Sequence, residues 1–350
     1  MKIVALTPFN IIPPNFGGAE RCYNLLTRVG ELTTIALNWQ GVSQEGSVGA
    51  MKYRLVPAEP SAVEQSEKLL KLGVMTYDPM PMLTKNKLTG LKDAIAEEEP
   101  DLVILEHPWL YPFIGDVPFI YDAHNAEAFL TQSRWPNSYD AQLVEQLEGD
   151  AVRNASKITV CSEIDALLLK KRYQVDTPMH MIPNGTDIPS EQAEGKTKNL
   201  IFIGSLYGPN VKAAQLLCNL APQLQDYTIQ ILGPCTQLVK SNHPNVQLIG
   251  SVTEEQKHHY FLNAYAFVHL TTEGGGTSLK NARAMAYGLP VIATQVGARG
   301  YPTAIVTTEQ QVPEVLASID WRKESEKNRA YAESISWEVI GKAFREIVLA

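Results

Sequence analysis

Strand and helix patterns alternate on both sides of a polar break, which predicts an α/β protein built of two parallel-sheet domains. The chain has 350 residues, enough for two domains of ordinary size and more than one core holds comfortably. Between Asn184 and Lys198 the composition turns polar and loses its periodicity, as a linker does. With 45% hydrophobic and 19% charged residues, the composition is that of a globular chain.

Lys2 to Thr7 is an apolar, β-prone run stopped by Pro8, and it predicts a buried strand. The Pro- and Gly-rich stretch Asn10 to Gly18 reads as a loop feeding a helix from about Ala19 to Val29. Nucleotide-binding α/β domains begin this way, although the G-x-G-x-x-G spacing is absent. Strands follow at Thr33 to Asn38 and Tyr53 to Val56, then helical stretches around Ala62 to Leu72 and Lys85 to Glu98. Leu102 to Glu106 and Phe119 to Asp122 are short apolar strands with polar tips. His107 follows the first, and Asp122, His124, Asn125 and Glu127 cluster at the second. Ser138 to Ala155 predicts a long helix and Lys157 to Cys161 a strand. Ser162 then caps a helix, with Asp165 as the capping acid and an end near Tyr173. Met179 to Ile182 is the last strand before the linker.

Beyond the linker come strands at Leu200 to Gly204, Thr228 to Leu232 and Val246 to Gly250. Helices are predicted at Val211 to Leu224 and Glu254 to Asn263, and two or three more close the chain. In parallel sheets, ligands sit at the carboxyl ends of the strands, so the site is expected in the cleft between the domains. The most informative stretch is Val268 to Thr294, a strand, glycine loop, helix, strand unit. Gly274, Gly275 and Gly276, then Thr277 and Ser278, lead into a helix from Leu279 to Tyr287, and Val291 to Thr294 is the next strand. Such a loop leaves N–H groups unpaired at the positive end of the helix dipole, and glycines let an anion approach closely. Phosphate is the natural guest, within reach of Lys280. An ordinary tight turn is the competing reading, because a single glycine-rich loop is a weak motif. Glu273 before the loop is poorly explained by packing.

The net charge of −8 argues against nucleic acid as the main partner. Cys22, Cys161, Cys218 and Cys235 are scattered, without zinc-ligand spacing, and suit a reducing compartment as small buried hydrophobes. The opening residues MKIVALTPFN lack the long apolar core of a signal peptide, and no run approaches the roughly 18 apolar residues of a membrane span. A cytoplasmic protein is the expectation.

These pieces resemble a GT-B-fold glycosyltransferase, most similar to the retaining glycosyltransferase family 4. The resemblance rests on several landmarks in the family's order: Pro14 to Glu20 (PNFGGAE), Tyr121 to Glu127 (YDAHNAE), Ile182 to Asp187 (IPNGTD), Phe202 to Ala213, and Ser336-Trp337 with the helix after it. It implies two Rossmann-like domains facing across a cleft. Residues 1–184 would form the acceptor-side domain and 185–335 the donor domain, with 336–350 a helix crossing back. The implied activity is metal-independent, retaining transfer of a hexose from a nucleotide-diphosphate sugar to a glycan, lipid-linked or small-molecule acceptor, with no cofactor. Carried onto this chain, His124 and Glu273 are the implied catalytic residues. Gly17, Gly18, Lys212, Gly275, Gly276, Thr277, Ser278, Leu279 and Lys280 are implied to bind the donor. His107 and Glu106 would line the acceptor side, and His124 would hydrogen-bond the transferred sugar or act as acid or base near neutral pH.

Two departures stand out. The family's donor signature is Glu-x7-Glu, but here Arg283 occupies the second acidic position, and an arginine cannot accept ribose hydroxyl protons. Leu206 stands where the family commonly carries an arginine for the diphosphate. These departures keep a non-catalytic partner subunit in view, beside a nucleotide-sugar epimerase of similar fold. The base, sugar, acceptor, oligomeric state and any contact with the inner face of a membrane stay open.

Overall fold

The computed structural model describes residues 1–59, 88–134 and 139–350. The predicted helix Ala62 to Leu72, and the start of the one at Lys85, lie outside these residues. The chain divides into two compact units, Met1–Pro183 with Ile340–Ala350, and Asn184–Val339.

In the first unit the strands are β1 (Ile3–Thr7), β2 (Leu32–Asn38), β3 (Gln44–Val48), β4 (Met51–Pro57), β5 (Leu102–Glu106), β6 (Phe119–Ala123), β7 (Lys157–Val160) and β8 (Met179–Met181). They lie in the order β3-β4-β2-β1-β5-β6-β7-β8 and are parallel except for β3. Every residue of β1 and β6 is buried, as expected of strands covered on both faces. The helices are α1 (Gly17–Val29), α2 (Thr89–Glu98), α3 (Glu127–Arg134), α4 (Tyr139–Asn154) and α5 (Glu163–Tyr173). The strand order reverses between β1 and β5, so a crevice opens beyond their carboxyl ends.

The second unit carries β9 (Asn199–Ile203), β10 (Thr228–Leu232), β11 (Val246–Gly250), β12 (Ala266–His269), β13 (Val291–Ala293) and β14 (Ile305–Val306). Their order is β11-β10-β9-β12-β13-β14, with every pairing parallel. Its helices are α6 (Gly208–Asn219), α7 (Glu254–Leu262), α8 (Leu279–Ala286), α9 (Val312–Ser318) and α10 (Trp321–Ser334), and α11 (Trp337–Leu349) follows. From Ile340 onward α11 belongs to the first unit, where Lys157 Nζ donates to the Ile347 carbonyl at 2.8 Å. Here the order reverses between β9 and β12, placing the Gly204 and Gly274 loops together.

Several elements differ from the sequence reading. Helix α1 starts at Gly17, so Gly17 and Gly18 are first-turn residues and Phe16 is the N-cap. The helix needs no Cβ at these positions, and Glu20 N–H already bonds the Phe16 carbonyl at 2.9 Å. The predicted helix Val211 to Leu224 instead runs from Gly208 to Asn219, because Pro222 turns its end into a separate 3-10 turn. Strand β3 was not expected: its polar, exposed QEGSV pairs antiparallel on β4 and carries no apolar alternation. Ser162 does accept from Asp165 N–H at 3.2 Å. The Asp165 carboxylate accepts in turn from the Ser162 hydroxyl at 2.5 Å, and its other oxygen takes the Ala126 N–H at 3.3 Å.

The IPNGTD and Ser336-Trp337 landmarks meet inside the second unit. Thr186 and Ser336 form a parallel bridge, with Thr186 N–H bonding the Ile335 carbonyl at 3.2 Å and Trp337 N–H the Thr186 carbonyl at 3.0 Å. Gly185 lies flat on the buried Trp337 indole, where an added Cβ would come within 2.4 Å of Cε3. Gly185→Ala should therefore cost about 1–3 kcal/mol through overpacking. Urea unfolding checks this, and an unchanged midpoint would refute the close fit.

Candidate active site

In the first unit the site is built around a buried charge pair. Arg21, on the inner face of α1, is 1% exposed. Its Nε and Nη2 donate to the two Asp122 oxygens at 2.9 and 2.7 Å, and Nη1 donates to the Ile182 carbonyl at 2.9 Å. Thr159 Oγ1 adds a third donor to Asp122 at 2.5 Å. Burial would raise the Asp122 carboxyl, but Arg21 and His124 overcome it and hold the carboxyl far below its usual range.

His124, just past β6, is buried with Nε2 at 2.7 Å from Glu106 Oε2 and 3.5 Å from Asp122 Oδ2. Burial lowers its pKa, but Asp122 and Glu106 outweigh burial and lift it to about 9. At neutral pH His124 is thus a cation locked to carboxylates, unlike the near-neutral acid or base expected from the sequence. Cys22 is buried as expected, yet its thiol donates to Glu106 Oε2 at 3.3 Å instead of lying among apolar groups.

His107 was only a lining residue in the sequence reading, and here it is the distinctive one. Its backbone sits at φ 68°, ψ 155°, a region that costs a non-glycine residue about 1–3 kcal/mol. The ring is buried 4.1 Å from that of His124, with Nδ1 3.1 Å from Glu127 Oε1. Burial, then the His124 cation, lowers its pKa below the ordinary value, so His107 is neutral. Donation from Nδ1 to Glu127 leaves Nε2 an acceptor, and Nε2 is buried with no hydrogen-bond partner. The support behind Glu127 is rigid: Glu148 accepts the Glu127 and Ala128 N–H groups at 2.6 and 3.0 Å, capping α3, and takes the Tyr173 hydroxyl at 2.9 Å. A Pro-preceded turn after an apolar strand was the available sequence signal, but φ is invisible in sequence.

In the second unit the Glu273 loop and the start of α6 converge. Lys212 Nζ lies 2.5 Å from Glu273 Oε1, with both side chains more than half exposed. Lys280, in the first turn of α8, donates from Nζ to Asn210 Oδ1 at 2.6 Å and lies 5.0 Å over the Phe202 ring. Its burial pushes the ammonium down to about 8, with Cys235 opposing the shift. Asn184 Nδ2 donates to the Thr277 carbonyl and hydroxyl at 3.1 and 2.9 Å, tying the Pro-Asn-Gly segment to the glycine loop. Thr271 Oγ1 holds the Glu273 carbonyl at 2.8 Å. Gly233, at φ 91°, lets the β10 end meet Gly204, where a Cβ would fall 2.4 Å from the Gly204 oxygen. The Ser278 side chain makes no cap bond on α8, nor does that of Phe16 on α1. Gly275 and Gly276 precede that turn, and Leu279 begins it. Arg283 does not point to the loop cations' partners: Nη1 lies 3.4 Å from Glu254 Oε2 on α7. Leu206 is 45% exposed and supplies no charge.

Two family models match the chain. Residues 57–189 match Glycosyltransferase Family 4, and residues 197–320 match Glycosyl transferases group 1. The chain is a GT-B glycosyltransferase of the family 4 type. No curated protein matches it in sequence. Among solved structures, sucrose-phosphate synthase from Thermosynechococcus elongatus aligns at TM-score 0.77 and 15% identity, covering 99% of this chain and 98% of that one. HepE from Anabaena in complex with UDP-glucose aligns at 0.66 and 15%, covering 100% and 99%. A UDP-forming α,α-trehalose-phosphate synthase from Burkholderia xenovorans aligns at 0.68 and 13%, covering 99% and 97%. At these identities the structural likeness speaks for the fold.

The buried groups give a pH dependence with a definite sign. Asp122 and Glu127 are depressed, so their stabilisation is lost on acidification below the carboxylate range. Burial lifts Glu148 to about 7, so its contribution falls as pH rises from about 4.5 to 7. His124, lifted to about 9, loses its contribution from about 6.5 to 9. The Glu148 and His124 contributions are each on the order of 3 kcal/mol. His107 and His269 are buried with lowered pKa, His269 to about 3, so their contributions grow as pH rises to about 6.5. The melting temperature should therefore peak near pH 6.5 and fall toward pH 9, and a curve that rises from pH 6.5 to 9 would contradict the buried network.

Proposed function

We propose that this glycosyltransferase moves a hexose from a nucleoside-diphosphate sugar to an acceptor hydroxyl, with retention and without a metal, in glycan or small-molecule biosynthesis in the cytoplasm. The observation that carries the reading is the gathering of Lys212, Glu273, Asn210 and Lys280 at the β9 and β12 carboxyl ends, beside an α-helix N-terminus that no side chain caps. Departure of a diphosphate develops negative charge, and two lysines with loop N–H groups supply the stabilisation a metal would otherwise give. Lys212, now paired with Glu273, is free to turn to a phosphate oxygen. That releases the Glu273 carboxylate to accept sugar hydroxyls. A bound diphosphate also holds the Lys280 ammonium protonated, against the burial that depresses it.

In the first unit, the orphaned Nε2 of His107 is an acceptor for a sugar or acceptor hydroxyl, and burial, then the His124 cation, keeps that imidazole neutral. Relatives of the same fold carry UDP or UDP-glucose, which supports a nucleotide sugar as the donor class.

A thermal-shift titration with UDP, GDP, ADP and dTDP in EDTA names the base. One nucleotide at a hundred times its Kd should stabilise by about 2.7 kcal/mol. No shift with any of the four would favour a non-catalytic subunit. Turnover of a nucleotide sugar without acceptor would favour an epimerase. Glu273→Ala and Lys280→Ala should each cut kcat/KM at least about tenfold, as for lost transition-state contacts. Full activity in both variants would remove this site from the mechanism. Proton NMR of the product reads the anomeric configuration, and an inverted product would overturn retention.

A further inference from the structure

We propose that Cys22, Glu106 and His124 form a binding site for one borderline-soft divalent cation of the zinc class. Cys22 is on α1, Glu106 ends β5 and His124 follows β6, so three separate elements bring a thiol, a carboxylate and an imidazole to one point. Sγ, a carboxylate oxygen and a ring nitrogen of the three lie within 4.8 Å of one another. This is a zinc-type donor set, since thiolate and imidazole select against calcium and magnesium, which prefer oxygen.

The separations fit the ion. Sγ is 3.3 Å from Glu106 Oε2 and 3.7 Å from His124 Nε2. Tetrahedral zinc bonds of about 2.0–2.3 Å place such ligand pairs about 3.4–3.6 Å apart. Only the Oε2–Nε2 pair, now 2.7 Å, must open, by about 0.7 Å, as the ion replaces the proton between them. A second observation points to a cation: the other Glu106 oxygen, Oε1, is buried with no hydrogen-bond partner. A carboxylate oxygen left unpaired in the interior is costly, and a bidentate or bridging cation satisfies it.

Asp122, held by Arg21, lies beside the site with Oδ2 3.5 Å from His124 Nε2. Of the three ligands His124 is the most exposed, at 7%, and marks the side of entry.

Binding at this site does not depend on the proposed function, but its consequence does. An ion here discharges His124 and engages Glu106, so it should inhibit transfer rather than support it.

The test is a titration of the metal-free full chain with Co²⁺. One equivalent should produce a near-ultraviolet thiolate-to-cobalt absorption band, displaced by Zn²⁺ and lost in Cys22→Ser but kept in Cys161→Ser, Cys218→Ser and Cys235→Ser. Absence of the band in the parent protein, or its survival in Cys22→Ser, would overturn the proposal. If Cys22→Ser does not fold, X-ray absorption of the Zn²⁺-loaded parent decides. One sulfur with nitrogen and oxygen ligands supports the site, while two or more sulfurs, or none, overturns it. Inhibition that fails to appear while the band does would count against the proposed role of His124 and not against the metal site.

Discussion

The first unit depends on one buried ion pair. Arg21 and Asp122 are both out of solvent, and the guanidinium spans α1, β6 and the chain just past β8 in a single set of bonds. Such a pair contributes little net stability against apolar replacement, yet removing one partner strands the other and costs about 3–5 kcal/mol. Its value lies in placement. By fixing Asp122, it fixes the carboxylate beside His124, and burial, with the His124 charge second, keeps His107 neutral. The strained His107 backbone persists because Glu127, Glu148 and Tyr173 hold the ring from the other side. Strain, charge and burial are concentrated within a few residues of the β5 and β6 ends, where open α/β sheets bind their ligands.

The second unit solves a different problem. Its cations are not buried in salt bridges with arginine-like rigidity. Lys212 is solvent-facing and paired to a loop carboxylate, while Lys280 is half-buried and held by an amide. Arg283, in the second acidic position, has Nη1 3.4 Å from Glu254 Oε2 on α7.

Much of the fold was legible because the central strands of both sheets are parallel and covered on both faces. Runs such as IVALT and LVILE announce buried strands, and the glycines and prolines between them mark the ends. Strand β3 escaped because QEGSV holds its place by backbone pairing alone, with no apolar face to read. The start of α1 escaped because glycine is a weak helix signal, although Gly17 and Gly18 do open it. At the site, residue identity was informative and state was not. His124 was visible in YDAHNAE, but its charge depends on Glu106, which is eighteen residues away in sequence and reached only through the pairing of β5 with β6. His107 was nearly passed over for the same reason, because an unpartnered nitrogen and a positive φ are properties of the fold.

The bridge between Thr186 and Ser336 has a modular meaning. The chain enters the second unit at Asn184 and leaves it after Val339, and just inside these crossings Thr186 and Ser336 pair as a parallel bridge. Topologically, the second unit is an insertion with its ends already stapled together, much as domains that tolerate transplantation keep their termini close. The glycine against Trp337 and the asparagine on Thr277 travel with it. An exchange of residues 184–339 between relatives would therefore move the loop and its anchors as one cassette, cut at two adjacent points.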